Sequence, residues 1–200
     1  FNLEYINSTL YLEKLSSQTK IINNPISIRN ISEKFYSSKF FRYMPATIFT
    51  KDINKINKFY KKYKQLVIKQ INCYAGKDIM FINKNFNKKR VSLYLNKIGH
   101  AMIQKFLPMV KKGDKRVFII NGKVCGAIKR VPSKNSILSN LSQGGTAINT
   151  TLNLNELKIA KIVAKDLRKN NIYFAGIDFV SGKLICDINV TSPTGLPQYK

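Results

Sequence analysis

Cysteine, histidine and acidic residues are all scarce in this 200-residue chain, and each shortage excludes something. The three cysteines, Cys73, Cys125 and Cys186, are scattered without metal or redox spacing, and an odd count argues against a disulfide framework; a reducing cytoplasm fits best. The single histidine, His100, has no partner that points to catalysis and reads as a helix-end residue. No apolar run approaches the roughly 18 residues needed to span a bilayer, and no charged-then-apolar leader precedes the first helix, so a soluble protein without a membrane partner is expected. Asp and Glu number 10 against 35 Lys and Arg, a net charge of +25 that ordinarily points to nucleic acid or another polyanion. Here the lysines spread along the whole sequence without interleaved aromatics, and Lys, Asn and Ile are abundant everywhere, as a coding sequence low in G+C would produce. No nucleic-acid partner is expected; a phosphate-bearing ligand remains compatible with the charge.

What is present is enough apolar residue, 44%, for one sizeable core or two small ones. The chain opens at Phe1 and stops at Gln198-Tyr199-Lys200 with no closing element, and so reads as an excised piece. Near its start, LEYINSTLYLEKLSS carries Leu3, Ile6, Leu10 and either Leu12 or Leu15 at mostly helical spacing and predicts a helix over residues 2–16. Ile31, Phe35 and Phe40 predict a second helix over 27–39, which bears Arg29 and Lys34. After Pro45 come a strand at TIFT, a Lys-rich helix near 52–64, a strand at QLVIKQ ending near Lys69, and a strand at DIMFI. Beyond residue 101 strands dominate: AMIQKFL, then KRVFIING and KVCGAIKRV joined by Asn121-Gly122, a strong hairpin signal. The polar stretch from Pro132 to Asn149 reads as a mobile functional loop. Asn153 and Glu156 form a capping-box start for a helix to about 169 with Leu157, Ala160, Val163 and Leu167 on its buried face. The fold class read from this order is α+β.

The segments IYFAGIDFV (172–180) and KLICDINV (183–190) form a last hairpin. If Gly182-Lys183 is its two-residue turn, Ser181 pairs with Leu184 and Asp178 falls opposite Asp187, with Asn189 on the same face. Two carboxylates about 5 Å apart repel unless a cation lies between them, and hard oxygen donors from two Asp and one Asn suit Mg²⁺. The bland alternative is a pair of solvated strand-end acids.

SIRNISEKF, VIKQINCYAGKDI, MIQKFLPMVKKGDKRVFIINGKV, IKRVPSKNSILSNLSQGG and AGIDFVSGKLICDINVTSPTG together resemble the prokaryotic-type glutathione synthetases, which are ATP-grasp ligases. GDKRVFIING and DINVTSPTG are the specific parts, and the likeness runs through nearly the whole chain in the family's order. It implies an ATP-grasp fold in three pieces: residues 1–25 as the tail of a largely missing substrate domain, 26–107 as a small subdomain with its linker helix, and 108–200 as the large subdomain with the metal site. A short C-terminal stretch would be missing too. The implied reaction activates the carboxylate of γ-glutamylcysteine with ATP and Mg²⁺ or Mn²⁺, and joins it to glycine. Members commonly assemble as homo-oligomers, but no interface is legible here.

By the same resemblance Lys34, Lys69 and Gly76 contact the ATP phosphates, Gln104, Lys105, Phe106 and Leu107 line the adenine, and Asp114 lies near the nucleotide. Arg116 and Arg130 surround the transferring phosphoryl and the substrate carboxylate, where a planar two-pronged cation suits an oxyanion better than Lys does. Asn140, Gly144 and Gly145 belong to a closing loop, Ser192, Pro193, Thr194 and Gly195 to a substrate-side turn, and Asp178, Asp187 and Asn189 to the metal. The chain departs from the family at Cys73 and Ala75, which replace glycines, at Asp187, which is usually Glu, and at Leu138 and Thr146, where relatives often carry Arg. The bland readings are one lysine among many for Lys34 and Lys69, and a turn acid for Asp114; Lys69 inside an apolar strand is less ordinary. Two other functions fit the charge and the fold: a different ATP-grasp ligase, or a basic polyanion-binding module without chemistry.

Overall fold

Two antiparallel sheets carry the chain. The computed structural model describes residues 3–72, 79–133 and 144–199. Gly76, Cys73, Ala75, Leu138 and Asn140 lie outside these segments.

The chain enters through α1 (Leu3–Leu15) and α2 (Pro25–Asn30). Asn24 caps α2, its Oδ1 accepting the Ser27 N–H at 3.1 Å, and Pro25 occupies the first turn, where a missing donor costs nothing. The helix expected over 27–39 is broken: Ile31 is extended at φ −98°, ψ 93°, and a 3₁₀ turn, Tyr36–Tyr43, follows. Tertiary contact overrides helical periodicity here. The break buries Ile31, and the Glu33 carbonyl accepts the Ile188 N–H at 3.3 Å, which holds Glu33 and Lys34 beside the second sheet.

The first sheet has the order β1 (Thr47–Thr50), β4 (Ala101–Lys105), β2 (Leu66–Gln70), β3 (Ile79–Ile82). Two helices cover one of its faces. α3 (Ile53–Tyr63) starts at Asp52, which accepts from the backbone of Asn54 and Lys55, and α4 (Lys88–Ile98) starts at Asn87, which accepts from Arg90. Leu66, Ile68, Ala101 and Ile103 pack under them with Ile56, Val91 and Leu95. By strand alternation Val67, Lys69, Met102 and Gln104 take the opposite face. Met102 belongs to the core of the second sheet, so this is the face turned toward it.

The second sheet has the order β7 (Thr146–Thr150), β6 (Lys123–Val131), β5 (Asp114–Ile120), β8 (Phe174–Val180), β9 (Lys183–Asn189). The stretch read as loop from 132 to 149 thus ends in an edge strand, whose short polar sequence TAINT carries little strand signal but pairs along β6. α5 (Leu154–Lys169) opens with the expected capping box: Asn153 accepts from Glu156 N–H at 2.8 Å while the Glu156 carboxylate accepts from Asn153 N–H at 3.0 Å. Its apolar stripe, Ile159, Ala160, Val163 and Leu167, packs on Val117, Ile119, Ile177 and Phe179, and Ile31, Phe40 and Met44 join the same core. Among the described residues no helix is long and apolar enough to cross a membrane.

Asn23 fastens the segment before α2 to both ends of the β8–β9 hairpin. Its Nδ2 donates to the carbonyls of Phe174 and Val190, each at 2.7 Å, and its Oδ1 accepts from the N–H groups of Tyr173 and Phe174, each at 2.7 Å. Truncation would orphan all of these buried and half-buried backbone groups. Asn23→Ala should therefore destabilise the protein by about 3 kcal/mol in urea denaturation, far more than an average surface change.

Candidate active site

β5 lies between β6 and β8, and strand alternation puts Asp114 and Arg116 on one face of it. Asp114 pairs directly with Arg130 on β6, and Arg116 with Asp178 on β8. Four charged side chains therefore converge on a buried face, with relative exposures of 6% for Asp114, 5% for Arg116, 2% for Arg130 and 2% for Asp178. Arg130 grips Asp114 with two prongs, Nε to Oδ1 at 2.7 Å and Nη2 to Oδ2 at 2.8 Å, and the same Nη2 reaches Asp178 Oδ2 at 2.7 Å. Arg116 grips Asp178 with Nε on Oδ1 and with Nη2 on Oδ2 at 2.9 Å. Its Nη1 donates to the Thr194 carbonyl at 3.4 Å.

Burial works against the charge of Asp178, yet Arg116 and then Arg130 outweigh it and hold the carboxyl below its ordinary range. Burial likewise opposes the Arg130 charge, and Asp178 and Asp114 more than restore it, so its pKa is raised. Buried ion pairs of this kind contribute little net stability compared with apolar packing. Three of them sharing four residues in one place make this the candidate site.

Asp187 sits at the edge of this quartet. The sequence placed it opposite Asp178 through a turn at Gly182-Lys183; the turn is instead Ser181-Gly182, both left-handed at φ 50° and φ 72°, and Val180 pairs with Lys183. From the turn, Phe179 pairs with Leu184 but Ile177 pairs with Ile188, so β8 advances two positions while β9 advances four. This bulge restores the expected register beyond it, where Gly176 pairs with Asn189. The anticipated repulsion between carboxylates is relieved at Asp178 by guanidinium groups. Asp187 keeps 36% of its side chain exposed, and the buried Lys34 lies 3.8 Å from it, Nζ to Oδ1. The Asn189 amide orders the next turn: Oδ1 accepts from Thr191 N–H at 3.1 Å and from Ser192 N–H at 2.9 Å.

Glu33, which the sequence reading passed over, completes the cluster. Burial, then the negative charge of Asp187, push its carboxyl up to about 7, against the opposing pull of Lys34 and Arg116. In a chain this poor in acids, an acid next to a candidate phosphate lysine was the available signal. Gly176 was also missed. A Cβ there would lie 2.8 Å from Arg116 Cδ and 3.0 Å from Pro193 Cβ, so its missing side chain is the space through which Arg116 crosses β8.

The donors near the quartet that suit a divalent ion are all oxygen, the carboxylates of Asp187 and Asp178, which favours Mg²⁺ or Mn²⁺; both lone pairs of Asn189 Oδ1 are engaged by Thr191 and Ser192 N–H, so Asn189 would have to turn its amide to join them. Among the described residues no three His, Cys, Asp or Glu side chains come close enough to hold a metal by themselves. The set fits an ion that shares its shell with ligand oxygens.

The remaining candidates lie on both units. Lys69, next to last in β2, pairs with Met102 and shares its face of the first sheet. Gln104 is buried with its Nε2 on Thr47 Oγ1 at 2.9 Å, Lys105 N–H is taken by Ala46 and Phe106 N–H by Gln65. Past this strand end, Phe106 stacks edge-on with Phe81 at 5.7 Å. Pro193 and Thr194 touch the quartet through Gly176 and Arg116, whereas Gly144 and Gly145 precede β7. His100 follows the end of α4 and is exposed, as read from the sequence.

The two antiparallel sheets and their helices, with buried paired cations and acids on one face of the second sheet, have the ATP-grasp class of fold. The chain superposes on the D-cycloserine synthetase DcsG with a TM-score of 0.71 at 14% identity, covering 94% of this chain and 71% of that one. It superposes on the ATP-grasp ligase PsnB complexed with minimal precursor, Mg and ADP with a TM-score of 0.63 at 15% identity, covering 92% and 57%. At these identities the shared property is shape. The family model for the ATP-grasp domain of prokaryotic glutathione synthetase matches residues 33–200, and the chain belongs to that family. It is 37% identical over 199 residues to the glutathione synthetase of Bradyrhizobium diazoefficiens, covering 98% of this chain and 63% of the relative. The glutathione synthetase of a Synechocystis strain is 35% identical over 199 residues, covering 97% and 62%. The chain thus spans somewhat less than two thirds of the relatives it matches.

The folded-state pKa of Glu33, about 7, lies above its ordinary 4.5, so the fold takes up a proton between those values. The stabilisation is complete below the lower value and is lost as pH rises through the upper one. With chelator present, Glu33→Gln should flatten the fall in stability between about pH 5 and about pH 8 by up to about 3 kcal/mol; identical pH profiles for variant and parent would contradict this. Gly176→Ala should displace the Arg116 guanidinium from Asp178 and Thr194 and lower stability by roughly 1–3 kcal/mol, read by thermal unfolding and by a structure of the variant.

Proposed function

We propose that this chain is the nucleotide-binding, bond-forming part of a glutathione synthase. ATP gives its γ-phosphoryl group to the carboxylate of γ-glutamylcysteine, the amine of glycine attacks the resulting acyl phosphate, and ADP, phosphate and glutathione leave. A carboxylate is a poor acyl electrophile, and phosphorylation turns its oxygen into a leaving group. Phosphoryl transfer asks of the protein mainly positioning and charge neutralisation.

The observation that carries this reading is the Arg116–Asp178–Arg130–Asp114 quartet, buried and beside Asp187 and Lys34. Its cations and anions balance, so it exists in the fold before any phosphate arrives and needs no reorganisation to receive one. Arg116 and Arg130 would hold the transferring phosphoryl and the acid's carboxylate. Lys34, beside the metal strand, and Lys69, on the inner face of the first sheet, would hold the remaining phosphates from two sides. The strand end at Gln104–Leu107 would take the adenine through its backbone, with Phe106 and Phe81 covering the ring; Gly76, Asn140, Gly144 and Gly145 would close over the phosphates and the acid, and the Ser192–Gly195 turn would bound the substrate side. Asp187, Asn189 and Asp178 would hold Mg²⁺ or Mn²⁺, which when bound neutralises the phosphate oxygens. The three-piece division, 1–25, 26–107 and 108–200, is part of the same proposal, as is work in a reducing cytoplasm.

The test uses the full-length protein and calorimetric titration of Mg-ATP with and without candidate dipeptides. Asp187→Ala should weaken Mg-dependent ATP binding by about 10–100-fold and leave the weak metal-free binding unchanged. A basic module without chemistry would instead bind any nucleic acid independently of metal, with a steep dependence on salt.

A further inference from the structure

We propose that Asp114 is a positioning residue that acts through Arg130, fixing the one edge of that guanidinium left for substrate oxygen, rather than a contact to the nucleotide. The inference rests on the ligase reading above.

A guanidinium has five N–H donors in a rigid plane. On Arg130 the Nε hydrogen goes to Asp114 Oδ1, and the two Nη2 hydrogens go to Asp114 Oδ2 and Asp178 Oδ2. Among the described residues nothing accepts from Nη1. Two carboxylates thus hold one side of the plane and direct the Nη1 edge away from the quartet. Asp178 alone would leave a single hydrogen bond and free rotation about it. Asp114 supplies the two bonds that remove that freedom, and an oxyanion meeting a pre-oriented donor needs no further ordering.

The backbone is built to keep this pair in place. Asp114 opens β5 directly opposite Arg130. Gly113 before it adopts φ 99°, and a Cβ at Gly113 would lie 2.1 Å from the Arg130 carbonyl oxygen, so the two strands approach too closely there for any other residue. Arg116 differs: it has one carboxylate, and its Nη1 is taken by Thr194. Of the two arginines, Arg130 is the one whose Nη1 has no acceptor among the described residues.

The test compares Asp114→Asn, nearly isosteric, with the parent full-length protein. The expected result is a Kd for Mg-ATP within about twofold of the parent, single-turnover ADP release with γ-glutamylcysteine slowed about 30–100-fold, and less than about threefold further loss when the change is made in an Arg130→Lys background. Should Asp114→Asn fail to fold, Asp114→Glu keeps the charge but moves the plane by a methylene, and the same rate loss at unchanged Kd is expected. A tenfold or greater weakening of Mg-ATP with an unchanged saturated rate would overturn the proposal, as would a full additional loss in the Arg130→Lys background. If the parent releases no ADP with any acid, the ligase reading fails by itself. The positioning role is then read from nitrogen NMR: loss of the slowly exchanging Arg130 Nε–H signal in Asp114→Asn supports it, and persistence of that signal overturns it.

Discussion

Asp178 is a carboxylate taken fully out of water, and that is tolerable only because two guanidinium groups meet it on one strand face. Much else in the second sheet follows from this requirement. β5 must run between β6 and β8 so that an arginine on it and an arginine on its neighbour can reach the same acid. Gly113 lets the β5–β6 pair close up at one end of the quartet, and Gly176 leaves room for the Arg116 side chain at the other. The Thr194 carbonyl then pins the turn after β9 to Arg116. Apolar residues of the same volume would hold the sheet together as well, so the charges have to be explained by chemistry rather than by stability.

The charge arrangement grades outward from that centre. In the quartet each cation has its anion. Next to it, Glu33 and Asp187 outnumber Lys34, and the excess of negative charge, together with burial, pushes the Glu33 proton affinity up. An ionic site balanced at its core and negative at its rim is suited to taking a divalent cation together with a polyphosphate, since the two arrive as a nearly neutral pair. Lys34 owes its place in this rim to the break after α2: a continuous helix through 27–39 would have carried it around the helix axis, whereas the extended Ile31 and the Glu33–Ile188 backbone bond bring it to β9.

Much of the site was legible in the sequence, because strands and capping boxes are short-range objects. The Asn121-Gly122 turn, the Asn153/Glu156 cap, the alternation that places Lys69 on the face opposite Leu66 and Ile68, and the pairing of Asp114 with Arg116 on one face all come from neighbours within a few residues. What misled local reasoning was of one kind. The helix expected at 27–39 yields to tertiary contacts of Ile31 and Glu33, and the polar TAINT segment becomes a strand only because β6 offers an edge.

By itself, then, the sequence determined every strand but the polar edge strand β7, which residues share a face within each of those strands, and which family the chain resembles, since those depend on side-chain alternation and turn chemistry within a hairpin. Only the tertiary structure decided which faces meet. In the β5–β6 hairpin the turn alone, with Ile120 opposite Lys123 and Ile119 opposite Val124, would set Asp114 against Lys129 and turn Arg130 to the other side. The bulge between Phe118 and Ile119 moves the register by one and puts Arg130 opposite Asp114, while the wider irregularity in the β8–β9 hairpin keeps Asp187 within reach of Asp178. Strand faces alternate with a period of two, so a single extra residue reverses every side chain beyond it, and where that residue goes is set by packing across the sheet rather than by the local run of amino acids.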